Sequence, residues 1–253
     1  MFNLNNRVAI VTGAGSKRGI GRTIALALAE QGAHVVVCDL NLAGVSEVVE
    51  EIKEKGVRSL GLKCNITSEE DIKKTVTATF NEFGRIDILV NNAGITQPVK
   101  VLDTTPEDWT RIMEVNLKGT FMITKAVLPV MIKEKYGRII NISSVSGKRG
   151  GGVFGGAHYS ASKAGMLAFA KALAREVGRQ GITANSVTPG LVATDIRGGL
   201  ESKEEQQKMT ADIPCGRMAI PEEIAATVCF LASEEAAYIT GEDIDINGGS
   251  HMD

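Results

Sequence analysis

Short apolar runs recur along the chain, each ending in a glycine, an amide or an acid. Residues 7–11, 34–38, 57–64, 86–90, 137–142, 182–187 and 242–246 read as strands. Several are apolar at consecutive positions, as a parallel sheet covered on both faces requires. Between them lie stretches of helical character. One follows residue 20, with Ile24 and Leu28 on one face; a second covers 46–55. Ser68 then precedes Glu69, Glu70 and Asp71, a hydroxyl cap with acids in the first turn. Pro106 opens a long helix to about residue 135, with a kink or break expected before Pro129. Asn116 sits inside that helix, where an amide is a poor former. A further amphipathic helix covers 159–179, and Pro221 opens the last. The alternation predicts an α/β fold with a doubly wound parallel sheet. No repeat, linker or break in composition divides residues 1–253, so one domain is expected. The irregular stretch 191–221 includes a charged piece, 201–208, and is expected to act as a mobile lid over a substrate.

Composition narrows the function classes. Hydrophobic residues are 43% and charged residues 23%, as in an ordinary globular protein. A net charge of −2 gives no long-range pull towards nucleic acid or an anionic membrane. No apolar run reads as membrane-spanning, and the polar start of the chain is unlike a signal peptide. Cys38, Cys64, Cys215 and Cys229 form no CxxC pair, which suits a reducing cytoplasm. Three histidines are too few and too scattered for a zinc site, so no metal is expected.

Chemistry enters at two places. The first strand runs into Thr12-Gly13-Ala14-Gly15-Ser16-Lys17-Arg18-Gly19-Ile20-Gly21, then a helix, then a strand ending at Asp39. Such glycines allow backbone to approach a pyrophosphate at a helix N-terminus. Asp39 follows Gly19 by about twenty residues, where a carboxylate accepts from an adenosine ribose hydroxyl. Asn91-Asn92-Ala93-Gly94 also follows a strand, which suits the crevice where open α/β sheets bind ligands. The second place is Tyr159-Ser160-Ala161-Ser162-Lys163, a tyrosine and a lysine stacked one helical turn apart. An ammonium about 4 Å from a phenolic oxygen favours the phenolate by about 4 kcal/mol at an effective dielectric near 20. A phenol that titrates near 10 can then act as acid or base close to neutrality.

Thr12-Gly13 through Gly21, Asn91 to Gly94, Asn116, Ser144, Tyr159-x-x-x-Lys163 and Pro189-Gly190 occur in that order. Together they resemble the short-chain dehydrogenases/reductases over essentially the whole chain. The resemblance implies a Rossmann fold with a seven-stranded parallel sheet, helices on both faces and a nicotinamide cofactor. It implies a homotetramer or dimer assembled through two long helices, roughly 109–131 and 159–177. It makes Tyr159 the proton donor and acceptor. Lys163 would lower the tyrosine's pKa and bond the nicotinamide ribose. Ser144, rather than Ser143, would hydrogen-bond the substrate oxygen, and Asn116 would hold a water linking Lys163 to solvent. Cofactor contacts are implied for Gly13, Gly15, Arg18, Gly19, Ile20, Gly21, Asp39, Asn65, Ile66, Asn92, Ala93 and Gly94. They are also implied for Tyr159, Lys163, Pro189, Gly190, Val192 and Thr194.

The chain departs from the family's pattern at three points. The Gly-rich turn is two residues longer when counted from Gly13, with Lys17-Arg18 as a local bulge. The loop between Ser144 and Tyr159 is longer by about two, through Gly150-Gly151-Gly152. Asn65 stands where an acid is usual. Asp39 favours NAD, whereas Lys17 and Arg18 could meet the 2′-phosphate of NADP. The expected reaction interconverts a secondary alcohol and a ketone. The expected substrate is a small polar alcohol (a polyol, sugar or sugar-acid derivative), since the loop from Lys148-Arg149 looks like that branch. Lys148 and Arg149 are expected to be exposed. The alternative is a 3-oxoacyl-[acyl-carrier-protein] or 3-oxoacyl-CoA reductase. A non-catalytic nucleotide-sensing protein would usually lack the tyrosine or the lysine.

Overall fold

The computed structural model describes residues 2–152, 155–194 and 202–252. The chain begins β1 (Val8–Thr12), α1 (Ile20–Glu30), β2 (His34–Asp39), α2 (Leu42–Glu54), β3 (Ser59–Lys63), α3 (Glu69–Phe83) and β4 (Ile88–Asn91). It continues through α4 (Pro106–Met113), a π-helical turn (Glu114–Lys118), α5 (Gly119–Glu134) and β5 (Gly137–Ile142). Then come α6 (Val145–Arg149), α7 (Ala157–Val177), β6 (Ile182–Pro189), α8 (Lys203–Thr210), α9 (Pro221–Ala232) and β7 (Asp243–Ile246). Among the described residues, seven strands form one parallel sheet in the order β3-β2-β1-β4-β5-β6-β7. The chain reverses its direction of travel between β1 and β4, so their carboxyl ends open a crevice.

Alternate residues of each central strand feed two core layers. Ala9, Val11, Val35, Val37 and Val90 pack with Ile24 and Leu28 of α1, Val45 of α2 and Val228 of α9. Ile10, Val36, Leu89 and Ile139 pack with Ile72 of α3, Ile123 and Val127 of α5, and Leu173 of α7. Burial on both faces accounts for strands that are apolar throughout. The Ser68 hydroxyl accepts from Asp71 N at 3.2 Å, and Gly84 ends α3 with φ 75°. Pro106 occupies the first turn of α4, as it does in α9 for Pro221.

Three expectations change. Helix α2 starts at Leu42 rather than 46, because Asn41 caps it by accepting from Gly44 N at 3.3 Å. Strand β3 is shorter than 57–64. The long helix does not break before Pro129, which lies inside α5. Its irregularity is the π turn around Asn116, a feature frequent at functional sites. Helical residues Pro106–Glu134 are long and apolar enough, by length and composition, to cross a membrane. Buried Ile112, Ile123, Val127 and Met131 give this stretch a core-facing side.

Candidate active site

The first wall of the crevice is main chain. Thr12 Oγ1 accepts from the amides of Asn92 and Ala93, each at 3.1 Å. Asn92 Nδ2 donates to the carbonyls of Thr12 and Gly13, each at 2.9 Å. These bonds join the turn after β1 to the turn after β4. Gly13 has φ +67°, and a Cβ there would lie 2.6 Å from Ala93 Cα. A Cβ on Gly21 would collide with Asn92 Nδ2 and the Gly13 carbonyl. Both positions therefore need glycine to hold the turn against the sheet.

Around this turn a cavity of about 560 Å³ is lined by Gly13, Ser16, Gly19, Ile20, Asp39, Asn65, Ile66, Asn92, Ala93 and Gly94. The Asp39 carboxylate accepts from Gly15 N and Asn41 N, each at 2.9 Å. Asn65 spends its amide oxygen on Thr67 N (3.0 Å) and Thr67 Oγ1 (2.9 Å). The glycine cradle, the N-terminus of α1 and Asp39 fit a dinucleotide. Lys17 and Arg18 are exposed.

A second cavity, of about 350 Å³, shares Ile20, Asn92, Gly94, Ile95 and Thr194 with the first, so the two form one cleft. Its lining includes Ser144, Tyr159, Lys163, Pro189, Gly190 and Val192. The structure thus brings together most of the residues singled out from the sequence. Gly15 and Gly21 are buried behind the turn, and Asn116 is buried behind Gly94. Ser143 Oγ donates to the Lys163 carbonyl at 2.8 Å and is spent there. Ser144, the cap of α6, accepts from Ser146 N at 3.1 Å, and its hydroxyl faces the Tyr159 phenol closely enough to lower that group's pKa.

The tyrosine–lysine pair differs from the simple expectation. Lys163 is buried, and its Nζ donates to the Ile142 carbonyl at 2.7 Å. The same Nζ lies 5.8 Å from the Tyr159 ring centroid. Burial pulls the lysine down to about 8. Burial also raises the tyrosine above its ordinary value, and the bond to Ser144 draws it part of the way back. Asn116 Oδ1 accepts from Ile95 N at 2.8 Å, while its Nδ2 donates to Ile95 O at 2.9 Å and Ser162 Oγ at 3.1 Å. Both amide hydrogens are used to tie the π turn to the strand-end loop and to α7.

Other parts of the lining were not read from the sequence. Ile142 ends β5, and its role arises only from where α7 crosses the sheet. Met209 and Ile213, from α8 and the loop after it, close the far wall with Leu191. Lys148 is not a solvated cation: it pairs with Asp245 at 2.8 Å, and its side chain is 10% exposed. Arg149 lines the cavity and donates to Ser250 O at 2.9 Å. Gly150, Gly151 and Gly152 all have positive φ (73°, 64° and 132°), so the lengthened loop depends on glycine. Among the described residues no group of three or more His, Cys, Asp or Glu could hold a metal ion.

The family model described as enoyl-(acyl carrier protein) reductase matches residues 13–251. The chain belongs to the short-chain dehydrogenase/reductase family. This dehydrogenase/reductase is 45% identical to the 3-oxoacyl-[acyl-carrier-protein] reductase FabG of Vibrio cholerae, over 99% of this chain and 100% of the relative. The solved structure of gox2181 superposes with a TM-score of 0.93 at 37% identity, covering 98% of this chain and 97% of that one. A solved chain described as a short-chain alcohol dehydrogenase from Sinorhizobium meliloti 1021 gives 0.91 at 36% identity, covering 98% of each. The dehydrogenase/reductase is thus an oxidoreductase of a family that uses NAD(P).

Proposed function

We propose that this oxidoreductase reduces 3-oxoacyl thioesters with NADH. The observation that carries the reading is the placement of Ser144, Tyr159 and Lys163 where the dinucleotide crevice opens into a cavity that has an apolar part beside Ser146, Arg149, Lys208, Asp212 and Ser250. Ile95, Val145, Leu191, Met209 and Ile213 line it. The apolar part of this lining suits an acyl chain. The FabG relative points the same way, and the small polar alcohol gives way to the alternative. Asp39 supports NAD, since it would repel a 2′-phosphate.

When bound, the nicotinamide supplies the hydride to the ketone carbon. Tyr159 Oη gives its proton to the ketone oxygen, and Ser144 Oγ holds that oxygen in place. Lys163 bonds the cofactor's ribose and, once drawn from the Ile142 carbonyl, stabilises the phenolate left behind. Asn116 keeps Ile95 and Ser162 in position around them. Residues 191–221 act as the lid; of these, 195–201 lie outside the described residues. Trp109 and Phe121 are large, exposed side chains on α4 and α5, which supports assembly through these helices and α7 as a homotetramer or dimer. Free cysteines support a cytoplasmic setting.

A substrate panel tests the reading. Acyl thioesters, polyols, sugar acids and hydroxy acids are each assayed with both cofactors. A 3-oxoacyl thioester with NADH is expected to give the highest kcat/KM. A polyol with NAD ahead of it would return the protein to the sugar-oxidising branch.

A further inference from the structure

The lengthened Gly-rich turn does not hang free over the crevice. Asn41 Nδ2 donates to the Gly15 carbonyl at 3.1 Å, while Asn41 Oδ1 caps α2 at Gly44 N. Gly15 N and Asn41 N each hold one region of the Asp39 carboxylate. The contacts are close on every side. A Cβ on Gly15 would lie 2.9 Å from Asp39 Cβ and 3.0 Å from both Asp39 Cγ and Asn41 O. A Cβ on Gly44 would collide with the Gly15 carbonyl. The turn, the end of β2 and the start of α2 thus form one lock, with Asn41 at its centre.

We propose that Asn41 is a specificity-determining residue of the cofactor site: its side chain holds the Gly15 carbonyl, and so fixes the turn whose Gly15 N–H pins Asp39. This rests on the NADH reading above. A lone carboxylate at the end of a strand can rotate away from an incoming phosphate. This one cannot do so without giving up two backbone N–H bonds and moving the turn. Its remaining lone pairs stay available to a ribose diol, whose hydroxyls donate. A 2′-phosphate brings acceptors and negative charge to a carboxylate that has nowhere to go. The charge at position 39 is thus only half of the selection; the other half is its immobility. Lys17 and Arg18 are exposed on the same turn, whose lining of the crevice is through Gly13, Ser16 and Gly19.

The test is a titration of NADH and NADPH fluorescence on binding, with no substrate present. Asn41→Ser keeps a hydroxyl to cap Gly44 N but cannot reach Gly15, so α2 and the fold are retained. Gly15→Ala opens the lock from the other side, by pressing a methyl group against Asp39. For wild type, NADH is expected to bind more tightly. In both variants the ratio of the NADPH to the NADH dissociation constant is expected to fall by about tenfold, as loss of one well-placed hydrogen bond allows. In Asn41→Ser most of that change is expected in NADPH. Ratios within twofold of wild type in both variants, with melting temperatures unchanged, would overturn the lock while leaving the NADH reading intact. A wild-type protein that binds NADPH more tightly would overturn both.

Discussion

The two halves of the cleft are built differently. The cofactor half is walled by backbone: the turn after β1, the turn after β4 and the N-terminus of α1, joined through Thr12 and Asn92. The substrate half meets the sheet only at the strand ends Ile142 and Pro189 and is walled mainly by residues of α6, α7, α8 and the loops around them. A backbone wall tolerates little change in sequence, because each glycine is required by a specific approach. A side-chain wall can be re-lined without disturbing the fold. Hence the reaction class follows from the first half, and the substrate depends on the second. Tyr159, Ser144 and Lys163 lie at the seam.

The largest effect on cofactor binding should come from breaking the backbone wall. Gly21→Ala places a methyl group against Asn92 and Gly13, so the turn must move. NADH affinity is expected to fall by about 5- to 150-fold, the range that about 1–3 kcal/mol of overpacking gives, as read by calorimetric titration. Unchanged affinity would mean that the two turns are not locked.

The next effect lies at the seam. Burial holds Lys163 at about 8 in the fold against an ordinary 10.5, a gap of about 3 kcal/mol. Between these values the unfolded chain binds the proton and the folded chain does not, so this cost shrinks as pH rises from about 8 to 10.5. Lys163→Met should therefore raise the unfolding free energy near pH 7, by up to that amount, and the gain should fade near pH 10. Urea melts at both pH values measure it; an equal difference at both would show that the ammonium carries no burial cost.

The smallest effect is expected at the side-chain wall. Arg149→Ala should change KM for the thioester by only a few-fold, the scale of one exposed contact, and leave NADH binding unaltered. A change in NADH affinity would blur the division between the halves.

The same division explains what was legible in the sequence. Strand positions, the Gly turn, Asp39 and the Tyr159–Lys163 pair are local patterns with fixed spacing. The start of α2 was hidden because Leu42, in its first turn, is 52% exposed and breaks the apolar rhythm, although Asn41 carried a cap signal. Pro129 reads as a breaker, yet α5 passes through it. The actual irregularity at Asn116 shows in sequence only as an amide inside a helix. The lysine's bond to Ile142 O joins residues twenty-one apart in sequence through the packing of α7 on β5, which no local pattern encodes. Lys148 finds Asp245 across the sheet edge in the same way.

The central claim is that Tyr159 moves the proton where the two halves meet. Its most direct test is single-turnover reduction of a 3-oxobutanoyl thioester by prebound NADH, in wild type and in Tyr159→Phe. The variant is expected to bind NADH normally and to lose on the order of 10²–10⁴ in rate, the span typical of general acid–base catalysis. A Tyr159→Phe protein that reduces the thioester at the wild-type rate would contradict the account.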